Sequence, residues 1–150
     1  MPNTIKALSL WQPWASLVAI GAKSIETRHW STHYRGPIAI HAAKRWTREE
    51  QSITSLFRHT QTALPALPPL GAIVAVGRLA ACEQMTAPLI ELVAEPERTY
   101  GHYTIGRWMW MLEDVVALGE PVPYRGRQGL FDVPVDALPE EARQLIEVIQ

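Results

Sequence analysis

Gly21-Ala22-Lys23-Ser24-Ile25-Glu26-Thr27-Arg28, preceded by Leu8-Ser9-Leu10-Trp11-Gln12-Pro13-Trp14, is the stretch on which the fold reading turns. Lys6 to Leu10 alternates with period two and predicts a strand. Pro13 stands where a first helical position favours it, and Trp14, Leu17 and Val18 then share one helical face. Gly21 ends that helix, because glycine takes the left-handed conformation past a helix end without strain. Ser24 to Trp30 predicts a second strand, on which Glu26 and Arg28, two apart, leave the same face. Two tryptophans, an amide, a lysine, a carboxylate and a guanidinium thus gather about one strand–helix–strand turn. A fold alone does not require that much chemistry.

Working outward, residues 31–35 read as a polar loop and Ile38 to Ala42 as a third strand entered through Gly36-Pro37. Thr47-Arg48-Glu49-Glu50 is a capping box, with Glu50 reaching back to Thr47. Ile53, Leu56, Phe57 and Leu64 continue it as an apolar stripe, predicting an amphipathic helix over 48–63 that Pro65 ends. Residues 71–83 predict a long strand with Gly77 as a bulge, and Thr86 with Pro88 starts a short helix to about Ala94. Residues 107–112 are apolar on both faces, as in a strand buried on both sides or lining a filled barrel. Residues 118–123 read as an edge or turn and 129–134 as a short strand. Asp136 or Leu138 caps a last helix that turns Leu145, Ile146 and Ile149 inward. Strands outnumber helices without alternating one for one, which favours an α+β fold, a small mixed β-barrel with peripheral helices, over a βαβ parallel sheet.

The chain has 150 residues, 47% hydrophobic and 19% charged, with six Trp against two Phe. That length fits one domain, 1–150, able to bury a sizeable core. A net charge of −1 supplies no global field to draw in long nucleic acid, so any such binding must come from a local basic site. The single cysteine, Cys82, excludes an internal disulfide and any cysteine-cluster zinc site, and reads as a small buried hydrophobe. With no charged-then-apolar leader and no membrane-length apolar run, a reducing cytoplasm is the expected location.

Around the turn, Glu26 and Arg28 are expected to pair, at least as a structural salt bridge. Lys23 sits at the turn, where burial and the nearby carboxylate would pull its basicity in opposite directions. His41 ends the third strand on the face opposite Ile38 and Ile40, and Lys44 follows at the same end. His41 reads either as a histidine bonded to a backbone carbonyl or as part of a compact basic pocket with Lys23, Arg28 and Lys44, suited to one phosphate or nucleotide. Trp11 at the strand–helix corner is placed to stack on a base, while Trp14 packs in the core. Gln12 either reads a base edge or caps the helix after it. Trp108 and Trp110 read as core, with Trp108 near the cleft. Arg125 and Arg127, in the glycine-punctuated turn 124–129, reach phosphates if that turn lies near the barrel mouth. His29, His33 and His102 read as rim or loop residues. No two histidines have ligand spacing on one element, so no metal is expected, and nothing calls for a cofactor.

Gly21, Lys23, Glu26 and Arg28 fill every position of a glycine-x-lysine-x-x-glutamate-x-arginine run that resembles the signature of the ASCH domain, a branch of the PUA-like β-barrels. Gly36 to Lys44, with its apolar-His-Ala step, resembles that family's next strand. The segments Arg107 to Trp110 and Gln128 to Phe131 are similar to its closing strands. The order of elements is most similar to the branch that includes the endothelial lipopolysaccharide-associated factors. The resemblance spans most of residues 5–135. It implies an RNA- or nucleotide-binding cleft with the lysine at its centre, and Trp108 close by. In some relatives it implies hydrolysis of acetylated cytidine or of RNA. In the amidohydrolases the position of Glu26 holds a threonine nucleophile. Glutamate does not replace that in acyl transfer, although it can serve as base for a water.

The leading expectation is recognition of single-stranded RNA or a modified nucleoside. Trp11 and Gln12 would read shape, and Lys23, Arg28 and Lys44 would hold phosphate. The alternative is hydrolysis of an N4-acylated cytidine or of RNA, with Lys23 and Glu26 handling protons and His41 assisting. A third reading, a protein-interaction module, rests on the tryptophan count. No membrane partner is expected, and the sequence leaves the oligomeric state open.

Overall fold

The β-branched and aliphatic runs of the sequence pair into one curved, mixed sheet. The structure, a computed structural model, describes residues 3–150. In chain order the elements are β1 (Thr4–Leu10), α1 (Trp14–Ala19), β2 (Ile25–Arg28), β3 (Gly36–Ala42), α2 (Arg48–Phe57), β4 (Ala72–Gln84), α3 (Ala87–Leu92), β5 (Trp108–Pro123), β6 (Leu130–Pro134) and α4 (Glu140–Ile149). Short 3-10 turns occupy Glu97–Tyr100 and Val135–Ala137. The sheet order is β2-β5-β4-β3-β1-β6. Only β1 and β3 run parallel, with Ser9 opposite His41. Their connection carries α1 and β2, as a parallel crossover requires.

Alternation along the strands sorts the side chains onto two faces. Ile5, Ala7, Ala39, Ile73, Phe131 and Val133 pack one face against Ala142 and Ile146 of α4. Leu8, Leu10, Ile38, Ile40, Leu79, Trp110 and Leu112 pack the other against Ala15 and Val18 of α1. The α+β, barrel-like architecture expected from the sequence is present, with one difference: the sheet is not closed by a strand ladder. Its seam lies between edge strand β2 and the end of β1. β6 pairs with β1 only from Thr4 to Leu8, leaving the carbonyl of Ser9 free. Arg28 of β2 reaches across and donates from Nη2 to that carbonyl at 2.9 Å. A side chain therefore links the sheet's two ends where backbone pairing fails.

Three elements depart from the sequence expectation. Helix α2 stops at Phe57 instead of 63, since His59, Thr60 and Thr62 are weak helix formers. The segment still delivers Leu64 to the core, where it packs with Leu17 and Tyr100. The expected break near 118–123 does not occur, and β5 runs unbroken for 16 residues. β2 covers only Trp108 to Met111 of its second edge, so Pro121 and Pro123 fall on an unpaired edge and remove no ladder bond. The β4–β5 ladder shifts register three times, once at Gly77. A Cβ there would lie 2.7 Å from Cγ2 of Val115, so the close crossing needs glycine. Finally, Pro139, not Asp136 or Leu138, precedes α4.

Candidate functional site

The local rules of the opening turn place the site. Gly21 has φ +81° and ends α1 by donating to Val18 O at 3.0 Å. The amides of Ala22 and Lys23 both donate to Leu17 O, which turns the chain sharply into β2. The exposed edge of β2 is covered from the other side. Glu97 accepts from the amides of Ser24 and Ile25, and Thr27 Oγ1 accepts from His102 N at 2.9 Å. The 97–107 segment is thereby held against β2 as the far wall of a cleft.

The cleft has a volume of about 630 Å³ and opens along the seam. Its near wall is Ser9, Leu10, Trp11 and Trp14, its floor includes Glu26, Thr27 and Arg28, and Thr99 to His102 with Arg107 face them. Lys23, Glu26 and Arg28 do converge. Glu26 Oε2 accepts from Arg28 Nε at 2.9 Å and lies 2.8 Å from Nη2 in an ion pair, while Oε1 lies 3.5 Å from Lys23 Nζ. Lys23 is 1% exposed, and its ammonium also donates to the carbonyls of Ile25 and, at 3.1 Å, Tyr100. It does not line the cleft; it lies beneath it and anchors the carboxylate that does. Arg28 Nη1 makes no hydrogen bond among the described residues, so the guanidinium retains donors for a ligand. Nearby, the Tyr103 phenol is pushed well up, by burial first and then by the carboxylates of Glu97 and Glu26. Its hydroxyl stays protonated and has no partner among the described residues.

The remaining expected site residues are spread over three places. Trp11 stands at the rim, 51% exposed, with the Arg45 guanidinium 4.3 Å from its ring centroid. Gln12 is fully buried and caps α1: Oε1 accepts from Ser16 N, and Nε2 donates to Ser16 Oγ and Pro69 O. That removes it as a reader of base edges, because every polar atom is already engaged. Trp14 serves both as core and as cleft wall. Trp108, opposite Arg28 across the β2–β5 ladder, packs against the core and stays out of the cleft.

His41 is buried outside the cleft lining. Its Nε2 donates to Tyr124 O at 2.7 Å and its Nδ1 lies 2.9 Å from Ser9 Oγ. Burial holds its pKa below the usual histidine value, partly offset by the Tyr124 carbonyl. Lys44, Arg125 and Arg127 are exposed on the neighbouring end of the sheet, around the loop that Tyr124 anchors to Gly71. None of the three lines the cleft that lies above Lys23. Among the described residues no three His, Cys, Asp or Glu side chains cluster as a metal site requires. No helix there is long and apolar enough to cross a membrane.

The turn, β2, β3, β4 and most of β5 lie within residues 8–118, the span matched by the ASCH domain family. The chain belongs to that family. Its fold is similar to solved ASCH structures at low identity. The crystal structure of ASCH from Zymomonas mobilis is 16% identical, with TM-score 0.53 over 95% of this chain and 93% of the other. A tyrosine-to-phenylalanine mutant of the same protein gives 16% identity and TM-score 0.54 over 97% and 98%. A serine-to-alanine mutant gives 16% and 0.53 over 97% and 96%. No curated protein matches the chain.

Within this ASCH cleft, the sequence reading missed Thr27, Thr99, Tyr100, Gly101 and Arg107 and placed His29 and His102 only at the rim. Arg107 is held by His102 O at 3.0 Å and Thr27 O at 3.4 Å. Its only sequence signal is its place just before the β5 aromatics. Arg45 was also missed, since its contact with Trp11 joins two elements with no shared periodicity.

Proposed function

We propose that the cleft binds one nucleotide of a single-stranded RNA, or a modified nucleoside. The observation that carries this reading is the fixed pairing of Glu26 and Arg28 on the floor of a 630 Å³ cleft with half-exposed Trp11 at its rim. A carboxylate held by Lys23 and Arg28 accepts from ring or exocyclic N–H groups, and Arg28 donates to a phosphate or carbonyl oxygen. Arg45 covers part of the Trp11 π-system and leaves the ring to stack a base, a contact worth roughly 1–3 kcal/mol. Lys44, Arg125 and Arg127 extend a cationic surface beyond the rim, suited to flanking phosphates.

Fluorescence anisotropy with short RNAs, alongside thermal shift with a panel of nucleosides, tests the reading. Arg28→Gln and Trp11→Ala are each expected to weaken binding about ten-fold or more. Equal affinity of both variants and the parent for every ligand would end it. The hydrolytic alternative through Lys23 and Glu26 has less support. The Lys23 ammonium is directed at three protein oxygens and lies below the cleft surface. Product formation from RNA or an N4-acylated cytidine, lost in Glu26→Gln, would restore that alternative.

A further inference from the structure

A second cavity, of about 530 Å³, shares no lining residue with the cleft along the seam. Strand alternation makes its floor. Ile25 stands opposite Met111 in the β2–β5 ladder, and both, with Met109, leave the sheet on the face opposite Glu26 and Trp110. Leu89 and Leu92 of α3 form one wall, and Val93 to Glu97 another. These walls are held in place. Thr86 Oγ1 accepts from Leu89 N at the start of α3, and Arg98 donates to the carbonyls of Ile90, Glu91 and Val93 at its end. Yet α3 buries none of its six residues, and Leu92 is 80% exposed. The polar end of the cavity carries two carboxylates. Glu97 Oε1 accepts from Ser24 N at 2.7 Å and Ser24 Oγ at 2.9 Å, and Glu95 Oε1 accepts from Thr99 N at 2.8 Å and Thr99 Oγ at 2.9 Å. Among the described residues neither carboxylate forms a salt bridge. Tyr103, packed in the same apolar cluster, registers the imbalance. After burial, Glu97 does most to push its phenol up, and Glu26 and Glu95 add to it against Arg98.

We propose that this cavity binds a small amphiphilic amine, with its alkyl or aryl part on Leu92, Met109 and Met111 and its ammonium beside Glu95 and Glu97. Charge complementarity decides the class. A carboxylate or phosphate head would add a negative charge to two that have no counter-ion, whereas an ammonium supplies one. Each carboxylate keeps unused lone pairs, and a bond from a cationic donor to such an oxygen is among the stronger hydrogen bonds. An uncharged hydrocarbon gains only the apolar contacts. The volume falls in the range of small-molecule pockets, about 300–1,000 Å³. The paired methionines suit either a chain or a ring, because their unbranched thioethers reshape easily and their sulfurs favour aromatic edges. A ligand here also covers the aliphatic side of α3 that the chain itself leaves bare.

The test titrates the full chain, free of nucleic acid, with 4-phenylbutylamine while NMR follows the methyl signals of isotope-labelled methionines. 4-Phenylbutyrate, with the same ring and chain and the opposite charge, is titrated in parallel. The amine is expected to shift the Met109 and Met111 methyls saturably, with a Kd of about 1 mM or tighter. The carboxylate is expected to bind at least about ten-fold more weakly. Glu95 is exposed, so Glu95→Gln removes the charge without disturbing the fold. It is expected to weaken the amine about five-fold or more and to narrow the gap between the two probes. Leu92→Ser, also at an exposed position, is expected to weaken both probes about three-fold or more. No saturable shift at Met109 and Met111, equal affinity for the two probes, or an amine affinity unmoved by Glu95→Gln or by Leu92→Ser overturns the proposal. So do shifts that follow protein concentration without any amine, which would give this face to a second copy of the chain. No RNA or nucleoside is present, so either result is independent of the nucleotide-binding reading.

Discussion

Lys23 holds a cation out of water with three oxygens around it, two of them carbonyls that nothing else satisfies as well. Truncating one member of a buried charged group strands the rest, at a cost of about 3–5 kcal/mol. Lys23→Met is therefore expected to lower stability by that amount in urea unfolding, a far larger loss than any surface lysine gives. A change under about 1 kcal/mol would mean that the Tyr100 and Ile25 carbonyls find other donors. His41 supplies a second prediction. Its native pKa lies below its unfolded one, so the unfolded chain binds the extra proton first as pH falls. The stabilising effect of the neutral ring is complete above about pH 6.5 and is lost progressively below it, down to the lowered native value. The melting temperature is expected to fall over that window, and His41→Gln to flatten the fall. The shared face of Glu26 and Arg28 was legible in the sequence because strand spacing fixes it locally. The depth of Lys23 was not, because it depends on the carbonyl of Tyr100, 77 residues away. Gln12 shows the same limit. Both of its readings fit the local pattern, and only the distant Pro69 carbonyl decides for the cap.

At the scale of elements, α2 rests on its first turn more than on its stripe. Glu50 Oε1 accepts from Thr47 N at 2.7 Å and Thr47 Oγ1 at 2.6 Å, and Oε2 accepts from Arg45 Nε at 3.1 Å. Those bonds hold the Glu50 carboxyl below the usual carboxylate range, with the Thr47 hydroxyl the largest cause. Glu50→Ala is expected to cost about 1–3 kcal/mol and to raise amide exchange across residues 45–52. It also frees Arg45 from the arrangement that sets it over Trp11. If exchange at 45–52 is unchanged, the first turn is held by something other than Glu50. The capping box could be read directly from four residues. The early end of α2 and the continuity of β5 could not. The first is set by how Leu64 reaches Leu17 and Tyr100. The second is set by which edge of β5 the short strand β2 leaves bare.

At the scale of the whole molecule, the cleft exists because the curved sheet almost meets itself. Arg28 completes the approach at the Ser9 carbonyl, and the gap left between β1 and β2 is what a ligand can enter. The net charge of −1 gives that gap no long-range attraction, so the proposed RNA contact has to be short-range and local. Salt dependence measures how local. Each phosphate neutralised on a single strand contributes a slope of roughly −0.7 in log affinity against log salt. If the strand leaves the cleft past Trp11 and over the 124–129 loop, Arg125 and Arg127 each meet a phosphate there. Replacing both with alanine is then expected to make the slope shallower by about 1.4, while a lone nucleoside, with no flanking phosphate, binds the variant as it binds the parent. Anisotropy and thermal shift between roughly 50 and 200 mM salt give the comparison. An unchanged slope would take the loop off the path and leave Arg28 and Arg107 as the cations that a strand in this cleft can meet.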